Sequence, residues 1–179
     1  MFFKKKNNQV PLIYQNIVEI SRSKFFYIDF KLIDHFETRF DLIIFHAFII
    51  FFYYKNLSNK RSNISQELFD FMFSDFENNL REMGFGDIAV NKKMKVFITA
   101  FYGRIAQYSK GIEIYRSNKD KSLLQQTILN NIYKGKKTSD KNIDFFITYM
   151  HENINHFMNT NELDNLKNSF RYINLDYKR

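Results

Sequence analysis

The chain has 179 residues, enough for one domain with a substantial core. An apolar fraction of 45% with 18% aromatics excludes a disordered chain, and the absence of cysteine excludes disulfides, thiolate metal sites and a cysteine nucleophile. With 5 Gly and 1 Pro a turn-rich β architecture is disfavoured, and the net charge of +8 suits either an anionic partner or a lysine-rich solvated surface.

The first residues, Met1-Phe2-Phe3-Lys4-Lys5-Lys6, carry charge with no apolar run behind them, so residues 1–10 read as a basic tail rather than a secretory signal. Pro11 suits the first turn of a helix whose apolar face is Leu12, Ile13, Ile17, Val18 and Ile20. Residues 23–31 are aromatic without a clear period. Asp34, with Glu37 three residues on, is the expected N-cap of the next helix. That helix is apolar nearly all round from Phe40 to Tyr54, the pattern of an element buried on several sides. Residues 42–54 fall short of the ~20 that a spanning helix needs. Residues 56–63 form a polar, basic loop.

Residues 67–108 are the organising stretch: two amphipathic helices joined by the elbow Met83-Gly84-Phe85-Gly86-Asp87. Leu68, Met72, Phe76, Leu80 and Met83 recur at helical spacing on the first helix; Met94, Phe97, Ile98, Phe101, Ile105 and Tyr108 do so on the second. Gly84 stands where a helix end favours a positive φ, and Asp87 can cap the turn or the next helix. Arg81 has two readings, a surface pair with Glu77 at i, i+4 or a clasp over the elbow onto Asp87. Lys92, Lys93 and Lys95 open the second helix against its dipole, a small cost that suggests an acidic partner. Gly103, inside that helix, is expected to mark a crossing with another backbone.

After a loop at 117–121, a helix through Leu124, Ile128, Ile132 and Tyr133 ends on Lys134-Gly135-Lys136-Lys137, with cations near its carbonyl end. Ser139 or Asp140 caps a helix with the stripe Ile143, Phe146, Ile147, Met150, Ile154 and Phe157. Thr160-Asn161 breaks the chain before a last helix carrying Leu163, Leu166 and Phe170. The expectation is an all-α, single-domain, irregular bundle of roughly six to eight helices spanning residues 11–175.

Catalytic and metal chemistry find little support. His151 and His156 are spaced i, i+5 rather than the i, i+4 of a zinc helix, and no third ligand stands at a recognisable spacing. His46 reads as a buried imidazole satisfied by one backbone or carboxylate partner, with Asp41, Glu37 or the elbow acid as the carboxylate candidates. Gly84-Phe85-Gly86 follows no strand and lacks the Lys-Ser/Thr of a phosphate cradle. Asp75 and Glu77 are placed on a solvent-facing side. The expectation is a protein with no enzymatic activity and no cofactor or metal.

The run Leu80-Arg81-Glu82-Met83-Gly84-Phe85-Gly86-Asp87, followed by Val90, Lys92, Lys95, Tyr102-Gly103-Arg104 and Tyr108, resembles the ubiquinol–cytochrome c chaperone family. Tyr14, Ile17 and Val18 resemble its first helix, Arg39, Asp41 and His46 its second, and residues 129–133 with Tyr149 its C-terminal part. The resemblance implies a non-enzymatic assembly factor that binds newly made cytochrome b during assembly of complex III. It also implies a partner-binding or structural role for the motif residues from Arg39 to Tyr108 just named. A small partner protein or the ribosome exit region as a further partner, and no DNA, is also what the resemblance implies. A location at the cytoplasmic face of the inner membrane, touched peripherally, is the accompanying expectation. The alternative is a basic helical adaptor binding ribosomal RNA, whose affinity would fall steeply with salt. Part of the aromatic surface around Phe85, the second helix of the pair or the Tyr102–Tyr108 face is expected to stay exposed for a client.

Overall fold

The computed structural model describes residues 9–57, 62–160 and 171–173. Among these are seven helices and no strand: α1 Gln9–Ser21, α2 Lys24–Ile28, α3 Phe36–Asn56, α4 Ser62–Glu82, α5 Asp87–Asn118, α6 Ser122–Asn131 and α7 Asp140–Thr160. The all-α expectation holds. The anticipated last helix, with Leu163, Leu166 and Phe170, lies outside the described residues.

The axis of the bundle is α3. Its apolar girth leaves no polar side to face water, so α1, α4, α5 and α7 pack around it. Residues 40–50 are all buried, and Leu42, Ile44, Phe45, Ala47, Ile49, Ile50 and Tyr53 reach 0% exposure. Among the described residues no helix is long and apolar enough to cross a membrane. The segment without a clear period contains the short helix α2, which exists to deliver rings. Phe26 and Phe30 are buried against Phe145, Phe146 and Tyr149 of α7 in stacked, edge-on and tilted pairs of 4.7–6.1 Å. Residues 171–173 return to the core: the Tyr172 hydroxyl donates to the His46 carbonyl at 3.0 Å, and the Ile173 N–H donates to the Asn153 side chain at 2.7 Å.

Three sequence expectations are corrected. The N-cap of α3 is His35, not Asp34: its Nδ1 accepts the Thr38 N–H at 3.3 Å, while Asp34 is gripped by Arg39 through two bonds of 2.6 and 2.9 Å. An imidazole nitrogen accepts as an Asx oxygen would, and Arg39 competes for the carboxylate. Asp75 is not solvent-facing but half-buried, accepting the Tyr14 hydroxyl at 2.6 Å and tying α1 to α4. Gly103 is exposed with nothing near the position of a Cβ; the close helix crossing falls instead at Gly111, where a Cβ would stand 2.7 Å from Leu124 of α6.

Candidate functional site: the α4–α5 elbow and groove

α4 and α5 form the expected bent pair, longer than the stretch first singled out. Gly84 ends α4 at φ 86°, and the Gly84 and Phe85 N–H groups donate back to Arg81 and Leu80 carbonyls at 2.9 and 3.2 Å. Gly86 caps α5 in an extended conformation and Asp87 opens it. The two readings of Arg81 are both realised. Its guanidinium binds Glu77 at 2.7 Å and also Asp87, so one side chain spans the bend. These contacts hold the guanidinium above its ordinary pKa, Asp87 first and Glu77 second. Leu80 and Val90, at 2% and 0% exposure, close the inside of the elbow. Lys93 lies 4.6 Å over the half-buried Phe85 ring.

The outward surface is apolar between cations. From Asp87 to Ala100 only Val90 is buried. Met83 (59%), Ile88 (88%), Val96 (59%) and Tyr102 (56%) face solvent beside Glu82, Lys92 and Lys95, which are also exposed. Ile88, Lys92, Val96, Thr99 and Gly103 follow one another at three- and four-residue steps, so they share a helix face. Adjoining it, a cleft of about 320 Å³ opens between α3, α4 and α5, walled by Phe48, Phe51, Phe52, Phe69, Phe101, Tyr102 and Ile105. Tyr102 belongs to both surfaces, whereas Tyr108 is fully buried against Phe45 and Phe48.

Behind the groove the remaining motif residues hold α5 on α3. Asp41, 1% exposed, is ion-paired to Arg104 of α5 at 2.6 Å and to Lys134, just past α6. The sequence pointed to Asp41 and Arg104 separately but assigned Lys134 only to a helix end. Lys134 takes a left-handed conformation (φ 55°) ahead of Gly135 (φ 73°), the backbone that turns its side chain toward α3. Burial pulls both cations below their ordinary pKa. The signal available was the Lys-Gly pair at the end of α6.

His46 does not meet the acids considered for it. Its Nδ1 lies 2.7 Å from the Leu42 carbonyl and 3.1 Å from the Ser21 hydroxyl. A carbonyl only accepts, which assigns the proton to Nδ1 and leaves Nε2 among the rings of Phe26, Phe45, Tyr149 and Tyr172. Burial lowers its pKa to about 3, so it is neutral and structural. His151 sits 3.1 Å from Glu152 and edge-on to Tyr115; among the described residues no cluster of three or more His, Asp or Glu is placed to hold a metal.

The chain is similar in fold to the crystal structure of the Cbp3 homolog from Brucella abortus, with a TM-score of 0.77 and 24% identity over 96% of this chain and 91% of that one. The search of curated proteins returned no match. The family model described as ubiquinol–cytochrome C chaperone matches residues 29–172, which takes in α3 to α7, the Asp41 ion cluster and the whole elbow. The chain belongs to the ubiquinol–cytochrome c chaperone family.

Proposed function

We propose that this protein is a non-enzymatic assembly chaperone that holds newly made cytochrome b while ubiquinol–cytochrome c reductase is put together, working at the surface of the membrane that receives it. The observation that carries this reading is the solvent-facing apolar surface of α5, with Ile88, Val96 and Tyr102 exposed, continuous with the aromatic cleft that Tyr102 also lines. Unassembled transmembrane helices offer apolar faces with no aqueous partner, and an apolar helix laid in a groove is an established recognition geometry. The flanking Lys92 and Lys95 suit the acidic or lipid-bordering ends of such a client. Gly103 supports the same reading: a glycine lowers helix stability by ~0.5–1 kcal/mol relative to Ala, and nothing among the described residues uses the space it leaves.

A photoreactive residue at Tyr102, activated in growing cells, tests the proposal. Recovery of cytochrome b from Tyr102 but not from the exposed Gln126 on α6 is the expected result. Recovery of ribosomal RNA in place of a complex III subunit would favour the adaptor reading, for which the exposed Lys92 and Lys95, with no ion pair among the described residues, are the supporting feature.

A further inference from the structure

We propose that the cleft between the α2–α3 and α6–α7 connections binds the phosphate of an anionic phospholipid headgroup. This site shares no lining residue with the groove of the client reading and does not rest on it. Its volume is about 470 Å³, and Lys31, Lys134, Lys136 and Lys137 line it with His35, against a single lining carboxylate, Asp29. Lys134 is committed to Asp41, but among the described residues no carboxylate is ion-paired with Lys31, Lys136 or Lys137. Of the other acids nearby, Asp34 is engaged by Arg39, while Glu37 stands exposed 3.4 Å from the His35 Nδ1 that accepts from Thr38 and is the one further negative charge close to the cleft.

Two further features converge there. The 21-residue helices α3 and α7 both begin at this cleft, with His35 and Thr38 at one start and Ser139 and Asn142 at the other, so two positive helix ends add to the lysines. Lys31 and Lys134 are both left-handed at φ 54° and 55°, a conformation that L-residues avoid and that here puts a lysine on each wall. The lipid source is favoured over a free phosphate ester by the rim. Ile33 lines the cleft at 55% exposure, and Ile28, at 68%, immediately precedes the lining Asp29. Two bare aliphatic side chains beside a phosphate cradle suit the headgroup–acyl boundary, as they do in interfacial binding.

The test floats the full chain on phosphatidylcholine vesicles with and without phosphatidylglycerol. The variant Lys31→Asn/Lys136→Gln/Lys137→Gln, with Asn chosen because it tolerates the left-handed backbone, should lose binding to the anionic vesicles. At roughly fivefold per lysine near an anionic surface, the loss is on the order of a hundredfold. The charge-matched Lys92→Gln/Lys95→Gln/Lys110→Gln variant should lose far less, and Ile33→Asn should weaken binding with no change in net charge. Equal losses in the two triple variants would reduce the effect to overall charge and overturn the site. Binding of glycerol 3-phosphate, seen by NMR shifts at these lysines without vesicle binding, would overturn the lipid assignment. So would a loss of RNA binding in the first variant with flotation unchanged. Client capture is expected to survive in that variant, so failure here and failure of the chaperone reading are read on different assays.

Discussion

His46 and Asp41 are adjacent features of α3 with opposite electrostatic logic. His46 is neutral because desolvation outweighs its single carbonyl contact, with a folded pKa of about 3. A depressed folded pKa means that the unfolded state binds the proton first. The stability this neutral ring contributes is therefore complete above pH ~6.5 and is lost as pH falls toward 3, at a limiting slope of about 1.4 kcal/mol per pH unit. Denaturant melts between pH 7 and 4 should show that slope in the wild type, and His46→Gln should flatten it. Asp41 is the reverse case, a charge kept in the core by cations that reach solvent, Arg104 and Lys134 being 19% and 33% exposed. Asp41→Asn frees cations that can turn outward, so about 1–2 kcal/mol is expected. Arg104→Met/Lys134→Met instead strands the carboxylate, at about 3–5 kcal/mol. Combining all three changes should recover much of that loss; a triple variant no more stable than the double would show that the ions do not act as one cluster.

Among the elements, α3 was the most legible, because a helix apolar on every side admits few positions other than the axis of the bundle. The elbow was legible too, since Gly84, Arg81 and Asp87 act within a few residues of one another and local chemistry suffices. What sequence could not give was which glycine meets a neighbour. Gly103 and Gly111 are two turns apart on α5, and only the placement of α6 decides between them. Substitution separates them with opposite signs. Gly111→Ala drives a Cβ into the buried Leu124 side chain, and overpacking of about 1–3 kcal/mol should exceed the gain in helix propensity. Gly103→Ala meets nothing and should raise stability by ~0.5–1 kcal/mol. Thermal melts of the two single variants decide it; a common sign would mean that the α5–α6 crossing is misplaced.

At the scale of the whole molecule, the bundle concentrates its burial around α3 and leaves the first half of α5, a helix of about 48 Å at 1.5 Å per residue, largely uncovered. The Asp41 cluster was illegible as a unit for the same reason that the groove was: its members come from α3, α5 and the α6–α7 connection, and only the packed bundle brings them together. On the proposed function, stability and client capture place different demands on α5, and one substitution can separate them. Gly103→Leu fills the open notch on the exposed face, so the folded chain should be as stable as the wild type or more so. If a client helix packs across that notch, the same change should weaken capture of a cytochrome b transmembrane peptide in detergent by tenfold or more, the on the order of 1.4 kcal/mol that one obstructing side chain can impose. Because the contact is apolar, that loss should be similar at low and high salt, whereas any effect of Lys92→Gln/Lys95→Gln should fade as salt rises. A Gly103→Leu protein that melts normally and still captures the peptide with full affinity would place the client elsewhere on the surface.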